Sequence, residues 1–228
     1  MPSEGAWRGV FGGPYAGLLQ VLEQWRPIAT LPRDAKSGRG EPVLRVNVPF
    51  CGRFLESPIL AEFLSARAAA EVLAVDLEAS WDECTAAWTQ VKSDHAVQLE
   101  LRREDLADTA AGLPAAGLTL GVHPGPLDSG PWDNILATVL EAIAPGGVGV
   151  FATYLRHEAA RVAGVCRARG LHADIRSNPY YENRFLIPCC LPCGPWCGVP
   201  FLRHLVFVTR PPGPKLADSC SKAEGKKK

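Results

Sequence analysis

The chain has 228 residues, 47% hydrophobic and 21% charged, which suits an ordinary globular protein large enough for one substantial domain. Its 24 basic and 24 acidic side chains cancel, which argues against an extended nucleic-acid-binding face while leaving a small nucleic-acid substrate open. No apolar run is long enough to cross a bilayer, and the start MPSEGAW has no basic segment leading into an apolar one. With the scattered Cys51, Cys84 and Cys166, this predicts an intracellular, cytoplasmic setting with free thiols.

In chain order, PYAGLLQVLEQWRPIATL carries Leu18, Leu19, Val21, Leu22 and Trp25 at helical spacing and predicts one amphipathic helix after an FGGPY turn. PRDAKSGRGEP reads as an exposed linker. VLRVNVPF is a strand ending at Pro49 and Gly52. SPILAEFLSARAAA is a helix with Ser57 as candidate N-cap and Pro58 at N1. EVLAVDL is a strand closed by Asp76, and SWDECTAAWTQVKS a helix with a capping box from Ser80 to Glu83.

AVQLELRRED and GLTLGVHP are the third and fourth strands. PWDNILATVLEAIAP reads as a helix with Pro131 at its start and Pro145 just past its end. GGVGVFATYL is the fifth strand, and RHEAARVAGVCRARG a helix stopped by Gly170. LHADIRS, RFLIPCC and FLRHLVFVTRP are strand-like, and the last two predict an antiparallel hairpin at the sheet edge. Strands alternating with helices over short connections indicate a doubly wound, mostly parallel α/β sheet, buried on both faces. The expected organisation is an N-terminal helix and linker over 1–42, a domain over 43–212 and a disordered basic tail over 213–228.

In such sheets ligands bind beyond the carboxyl ends of the strands. That nominates the residues from Asn47 to Arg53, Asp76 to Glu78, Glu104 to Leu106 and His123 to Asp128. An acid ending the second strand is placed to accept hydrogen bonds from ribose hydroxyls.

Together VLRVNVPFCGRFLES, EVLAVDLEASWDEC, LRREDLAD and GLTLGVHPGP resemble the class I, S-adenosylmethionine-dependent methyltransferase family over roughly residues 43 to 210. The resemblance implies a Rossmann-like, seven-stranded sheet with a C-terminal antiparallel hairpin, and S-adenosylmethionine as cofactor. Asn47, Cys51 and Gly52 would fall in the loop that cradles the methionine part. Asp76, with Leu77 beside it, would hold the ribose, and Asp105 with Leu106 would lie beside the adenine. The family's D-x-G-x-G-x-G loop is altered: Asn47 replaces the acid, Pro49 and Phe50 enter the loop, and Phe54 stands where glycine is common.

His123, ending the fourth strand, is the candidate catalytic base, with a turn histidine before Pro124 as its other reading. Asp128 and Trp132 are candidates for the same mouth or for helix entry. The implied function is methyl transfer to an acceptor left open between small molecule, protein and RNA. The other class is a binding or scaffold protein that kept the fold and lost the cofactor. No G-x-S-x-G elbow, P-loop or H-E-x-x-H pair is present.

The window FLIPCCLPCGPWCGVPF holds Cys189, Cys190, Cys193 and Cys197 among four prolines. It reads as a stiff loop before the last strand, with a structural metal or a reactive thiol pair as alternatives. No metal site is assigned.

Overall fold

In a computed structural model the chain is described at residues 4–34, 42–51, 56–77, 96–108, 112–122, 131–180, 186–187, 199–200 and 203–213. Nine strands are described: β1 (Leu44–Pro49), β2 (Ala70–Asp76), β3 (Val97–Arg103), β4 (Ala116–Val122), β5 (Ile143–Thr153), β6 (His172–Ser177), β7 (Leu186–Ile187), β8 (Val199–Pro200) and β9 (His204–Thr209). The helices are α1 (Glu4–Trp25), α2 (Ser57–Ser65), α3 (Trp132–Glu141) and α4 (Arg156–Ala168), with a single 3-10 turn at Ile28–Thr30. Among the described residues no helix is long and apolar enough to cross a membrane.

Seven strands form one sheet in the order β3-β2-β1-β4-β5-β9-β6. β1 to β5 are mutually parallel, and β9 runs antiparallel to both neighbours. The expected α/β architecture with a C-terminal antiparallel pair is therefore present, but the pair is β6 with β9. Leu186–Ile187 instead pairs with Val199–Pro200 in a separate ladder of two residues per strand. Side-chain burial explains the difference. Leu205 and Phe207 sink into one face of the sheet and Val206 and Val208 into the other, so β9 needs a strand on each side, and β6 supplies the second.

α1 and α2 cover one face. Tyr15, Leu18, Leu22, Leu60 and Leu64 pack there with Val46, Leu118, Val150 and Phe207. α3 and α4 cover the other, placing Leu136, Val139, Val162 and Cys166 against Val75, Phe151, Val206 and Val208. Each fully buried side chain of this size contributes about 1.5–3 kcal/mol before entropy is counted. The N-terminal helix thus shares a core with the sheet, and Trp25 meets the Phe207 ring edge-on at 4.6 Å.

Several boundaries differ from the sequence reading. α1 begins at Glu4 and passes through Gly12, Gly13 and Pro14, where a turn is expected. α2 takes Glu56 rather than Ser57 as its cap, a shift of one residue. α3 stops at Glu141 and Ile143 already belongs to β5, because Pro145 disfavours helical backbone at Ala144. Gly170 closes α4 in the left-handed region at φ 72°, with Leu171 N–H donating to Cys166 O at 3.1 Å. The helix expected over 80–93 and the basic tail from 214 lie outside the described residues.

Candidate functional site at the carboxyl edge of the sheet

The strand order reverses between β1 and β4, since β2 and β3 lie to one side and β5 to the other. A crevice is expected there, outside the carboxyl ends of the strands. β9 starts at this edge: His204 stands opposite Thr153 on one side and Ser177 on the other. The large apolar side chains exposed among the described residues, Leu77 (54%), Leu155 (44%) and Tyr180 (40%), all follow strands that end here. The edge therefore collects the large exposed apolar side chains of the described residues.

Phe50, in the turn after β1, has φ 60° and is the non-glycine residue in the left-handed region among the described residues. Such a conformation costs about 1–3 kcal/mol and collects at functional positions. Its ring meets Trp132, the first residue of α3, edge-to-face at 5.3 Å. Gly121 makes room for it, because a Cβ there would lie 3.3 Å from Phe50 Cε2 and 2.5 Å from Phe151 Cδ1. Cys51 N–H donates to Val75 O at 3.4 Å and ties this turn to β2. Gly52 and Phe54 lie outside the described residues.

Asn47 sits differently from its expected place in the loop. β1 continues to Pro49, so Asn47 is inside the strand, fully buried, with Nδ2 donating to Pro114 O at 2.8 Å. Thr119 faces it in register, and Asn47 Oδ1 and Thr119 Oγ1 are both buried without a partner among the described residues.

Asp76 is the last residue of β2 and half-buried. Its carbonyl accepts from Glu104 N at 3.3 Å, and Arg103 Nε donates to Leu77 O at 3.2 Å, which locks the ends of β2 and β3 together. Beyond β3 the structure separates the three candidates. Asp105 Oδ1 accepts from Ala107 N at 2.8 Å and closes an exposed turn. Leu106 is buried in the core beneath α3 and α4. Glu104 Oε2 is buried with no partner among the described residues, an acceptor left over at the edge. Glu104 begins the segment that follows β3, and its position directly after the strand was the signal that singles it out from Asp105.

On the α1–α2 side, Tyr15 and Glu56 lie close together. Burial, and then the Glu56 charge, pushes the Tyr15 phenol well above its usual pKa, and burial pushes the half-buried Glu56 carboxyl up as well. Tyr15 Oη and Ser57 Oγ are buried without partners among the described residues. Tyr180 packs onto α1 at Gly17, where a Cβ would come within 2.5 Å of Tyr180 Cβ.

On the α3–α4 side, burial and then Arg203 and Arg156 hold the His204 imidazole below its ordinary pKa. Glu158 accepts from Leu155 N at 2.8 Å and Tyr154 N at 3.1 Å, fixing the start of α4. His123 and Asp128 lie outside the described residues, as does the cysteine window from 188 to 198. Among the described residues no group of three His, Cys, Asp or Glu side chains is placed to hold a metal.

No protein-family model matches the sequence, and no curated protein does. Solved structures do match in three dimensions. A structure of precorrin 8w decarboxylase from Methanobacterium thermoautotrophicum aligns with TM-score 0.55 at 14% identity, over 84% of this chain and 88% of that one. An O-methyltransferase family protein from Burkholderia thailandensis aligns with TM-score 0.53 at 13% identity, over 86% and 58%. A SAM-dependent O-methyltransferase from Thermotoga maritima aligns with TM-score 0.51 at 12% identity, over 74% and 59%. The chain spans little more than half the length of these two methyltransferases. At such identities the likeness is one of fold, a Rossmann-like α/β sheet shared with solved methyltransferase structures.

Proposed function

We propose that the protein is an S-adenosylmethionine-dependent methyltransferase whose cofactor lies across the carboxyl ends of β1, β2 and β3. The observation that carries this is a row of two acids at the strand ends: half-buried Asp76 closing β2, and Glu104 after β3 with a buried oxygen that has no partner among the described residues. An acid at the first position suits ribose hydroxyls, and an orphaned acceptor at the second suits an adenine amino group. Exposed Leu77 between them offers an apolar face to a base.

In this reading the backbone of Cys51 and Gly52 borders the methionine part, and Asn47 acts from within β1 by holding the Pro114 carbonyl. Asp105 and Leu106 shape the adenine side from the turn and the core. When bound, S-adenosylmethionine supplies an electrophilic methyl group. The protein's task is then to align an acceptor with it and keep water out, which by itself lowers a barrier substantially. Phe50 and Trp132 form an apolar wall for that purpose. His123, which follows Val122 at the end of β4 in the sequence, is the proposed base that takes a proton from the acceptor.

The test is calorimetric titration with S-adenosylmethionine and S-adenosylhomocysteine. Both are expected to bind, and Asp76→Ala is expected to weaken them by about 100-fold, since hydrogen bonds to a charged group contribute about 1.5–3 kcal/mol each. Absence of heat, together with no rise in melting temperature, refutes the enzyme reading. One observation favours the scaffold alternative: a bulky Phe50 occupies the left-handed turn where a glycine would leave the ligand more room. The same titration decides between them.

A further inference from the structure

α1 and the start of α2 carry polar side chains that the fold leaves unused. Tyr15 belongs to the buried stripe of α1 with Leu18, Leu19 and Leu22, and Ser57 to that of α2 with Leu60 and Leu64. Each is 1% exposed, and neither Tyr15 Oη nor Ser57 Oγ has a hydrogen-bond partner among the described residues. A hydroxyl taken out of water without a replacement bond is destabilising, and a ligand that supplies the bond removes that cost.

The two hydroxyls lie at the same level of the fold. α2 runs away from the carboxyl edge, since it leads from the end of β1 to the start of its parallel neighbour β2. α1 runs the same way. Gly17 sits beside Tyr180, which follows the end of β6 at that edge, and Trp25 sits against Phe207, deeper in β9. Beyond these points the helices are tied together, with Arg67 Nε 3.4 Å from Glu23 Oε2. At about 1.5 Å per residue, Tyr15 stands roughly 12 Å before Glu23 and Ser57 roughly 15 Å before Arg67. Counting back from the tie therefore brings both hydroxyls to the carboxyl edge together.

Glu56 completes the group. It caps α2 immediately before Ser57, and its backbone carbonyl accepts from Ile59 N at 3.0 Å and Leu60 N at 3.1 Å. It is half-buried where the hydroxyls are sealed, so a ligand reaches them past its side chain. The cations described just after the two helices, Arg26 and Arg67, lie at the opposite end, and Arg67 is engaged by Glu23. Burial pushes the Glu56 carboxyl up, and burial followed by the Glu56 charge raises the Tyr15 phenol, as expected where no positive charge offsets the acid. Three oxygens with one acidic charge suit a ligand that donates several N–H groups and brings a positive charge of its own. A carboxylate or phosphate would add a second buried anion.

We infer that this place between α1 and the start of α2 binds a primary amine, its N–H groups directed to the Glu56 carboxyl, Tyr15 Oη and Ser57 Oγ, and that the methyl acceptor carries this amine. The acceptor role rests on the methyltransferase reading, whereas the amine site can be measured without methyl transfer.

The probe is butylamine, with butanol as its uncharged counterpart, butyrate as the anion and tetramethylammonium as a cation without N–H groups. Binding is read by calorimetry and by NMR line broadening of each probe. Butylamine is expected to bind about tenfold tighter than all three, the weight of one charge-assisted hydrogen bond. Glu56→Gln is expected to bring butylamine down to the level of butanol. Tyr15→Phe removes a sealed, unpartnered hydroxyl, so it should weaken butylamine without lowering the melting temperature, and Ser57→Ala should do the same. Those melting temperatures separate lost binding from lost folding.

The inference is overturned if amine and alcohol bind alike, if butylamine does not bind, or if Glu56→Gln keeps the preference for the amine. Titration of S-adenosylhomocysteine into the same samples separates the two readings. Cofactor binding without butylamine binding removes the amine site alone. Butylamine binding without cofactor binding removes the methyltransferase reading and leaves an amine site. Displacement of butylamine by S-adenosylhomocysteine assigns the site to the cofactor's own amino group, and the acceptor assignment falls.

Discussion

Gly121 lies in β4 directly beneath the rings that build the mouth, and alanine there tests the packing. A Cβ at 121 would fall 2.5 Å from Phe151 Cδ1, 2.9 Å from Phe151 Cε1 and 3.3 Å from Phe50 Cε2. Phe151 is fully buried, so its ring has nowhere to turn. Overpacking of this kind costs about 1–3 kcal/mol, and the contact is at its severe end. Replacing glycine would otherwise gain about 0.4–1 kcal/mol by restricting the unfolded chain, so the net loss is about 2 kcal/mol. With an unfolding entropy of about 2.1 cal/mol/K per residue, the 228-residue chain should melt about 4 °C lower. Scanning calorimetry on Gly121→Ala, with Gly112→Ala as control because nothing lies within 4 Å of a Cβ there, reads the difference directly. Adding Phe151→Leu should recover part of the loss, giving a coupling of about 1 kcal/mol between the two sites. A Gly121→Ala melting point within 1 °C of the parent, or strictly additive effects with Phe151→Leu, would show the reasoning to be wrong.

Three further outcomes are expected. Glu56 has a folded pKa above its unfolded one, so the folded state holds an extra proton between the two values. Stability falls as pH rises from about 4.3 through that window, and Glu56→Gln should flatten this part of a melting-temperature curve; parallel curves for the two proteins would contradict the burial argument. His204 works with the opposite sign, because its folded pKa lies below the ordinary value. Stability rises with pH from the folded pKa up to about 6.5, and His204→Gln should remove that rise in the same assay. The Cys166 thiol is pushed up to about 12 by burial, so at pH 8 about one in ten thousand is thiolate. Mass spectrometry should find Cys166 unalkylated by iodoacetamide in the native protein and fully alkylated in guanidinium; labelling under native conditions would place it nearer the surface.

The sheet was legible wherever burial leaves a local pattern. LAV in β2 and LVFV in β9 have no polar alternation because both of their faces are covered. Asp76 was legible for a related reason: a lone acid closing such a run has to sit at the strand's end. What the pattern does not carry is which strands are neighbours, since that depends on contacts between distant residues. The last two strand-like runs read as a hairpin at the sheet edge, and nothing local shows that LHADIRS rather than RFLIPCC lies beside LVFV. The mouth was partly legible for the same reason. Cys51 and Asp76 follow from strand ends, while the buried Glu104 oxygen, the left-handed Phe50 and its ring contact with Trp132 arise only once the chain has folded. Asn47 shows the limit at residue scale: the strand pattern already ran to Pro49 and so placed it inside β1, whereas the family resemblance put it in the loop.

The position of β9 has a bearing on time as well as space. β6 reaches the sheet through β9, whereas residues 204–209 come later in the chain than the whole of 172–177. During synthesis β1 to β5 can pair as they emerge, each beside a strand already made or soon to follow, but β6 must wait. Until β9 slides into place, β5 presents an open, hydrogen-bond-hungry edge with Phe151 and Val150 behind it, the kind of edge that recruits other chains. The hazard period of this protein on the ribosome is set by the stretch between Ser177 and His204, where the proline-rich cysteine window has to be made before the sheet can close.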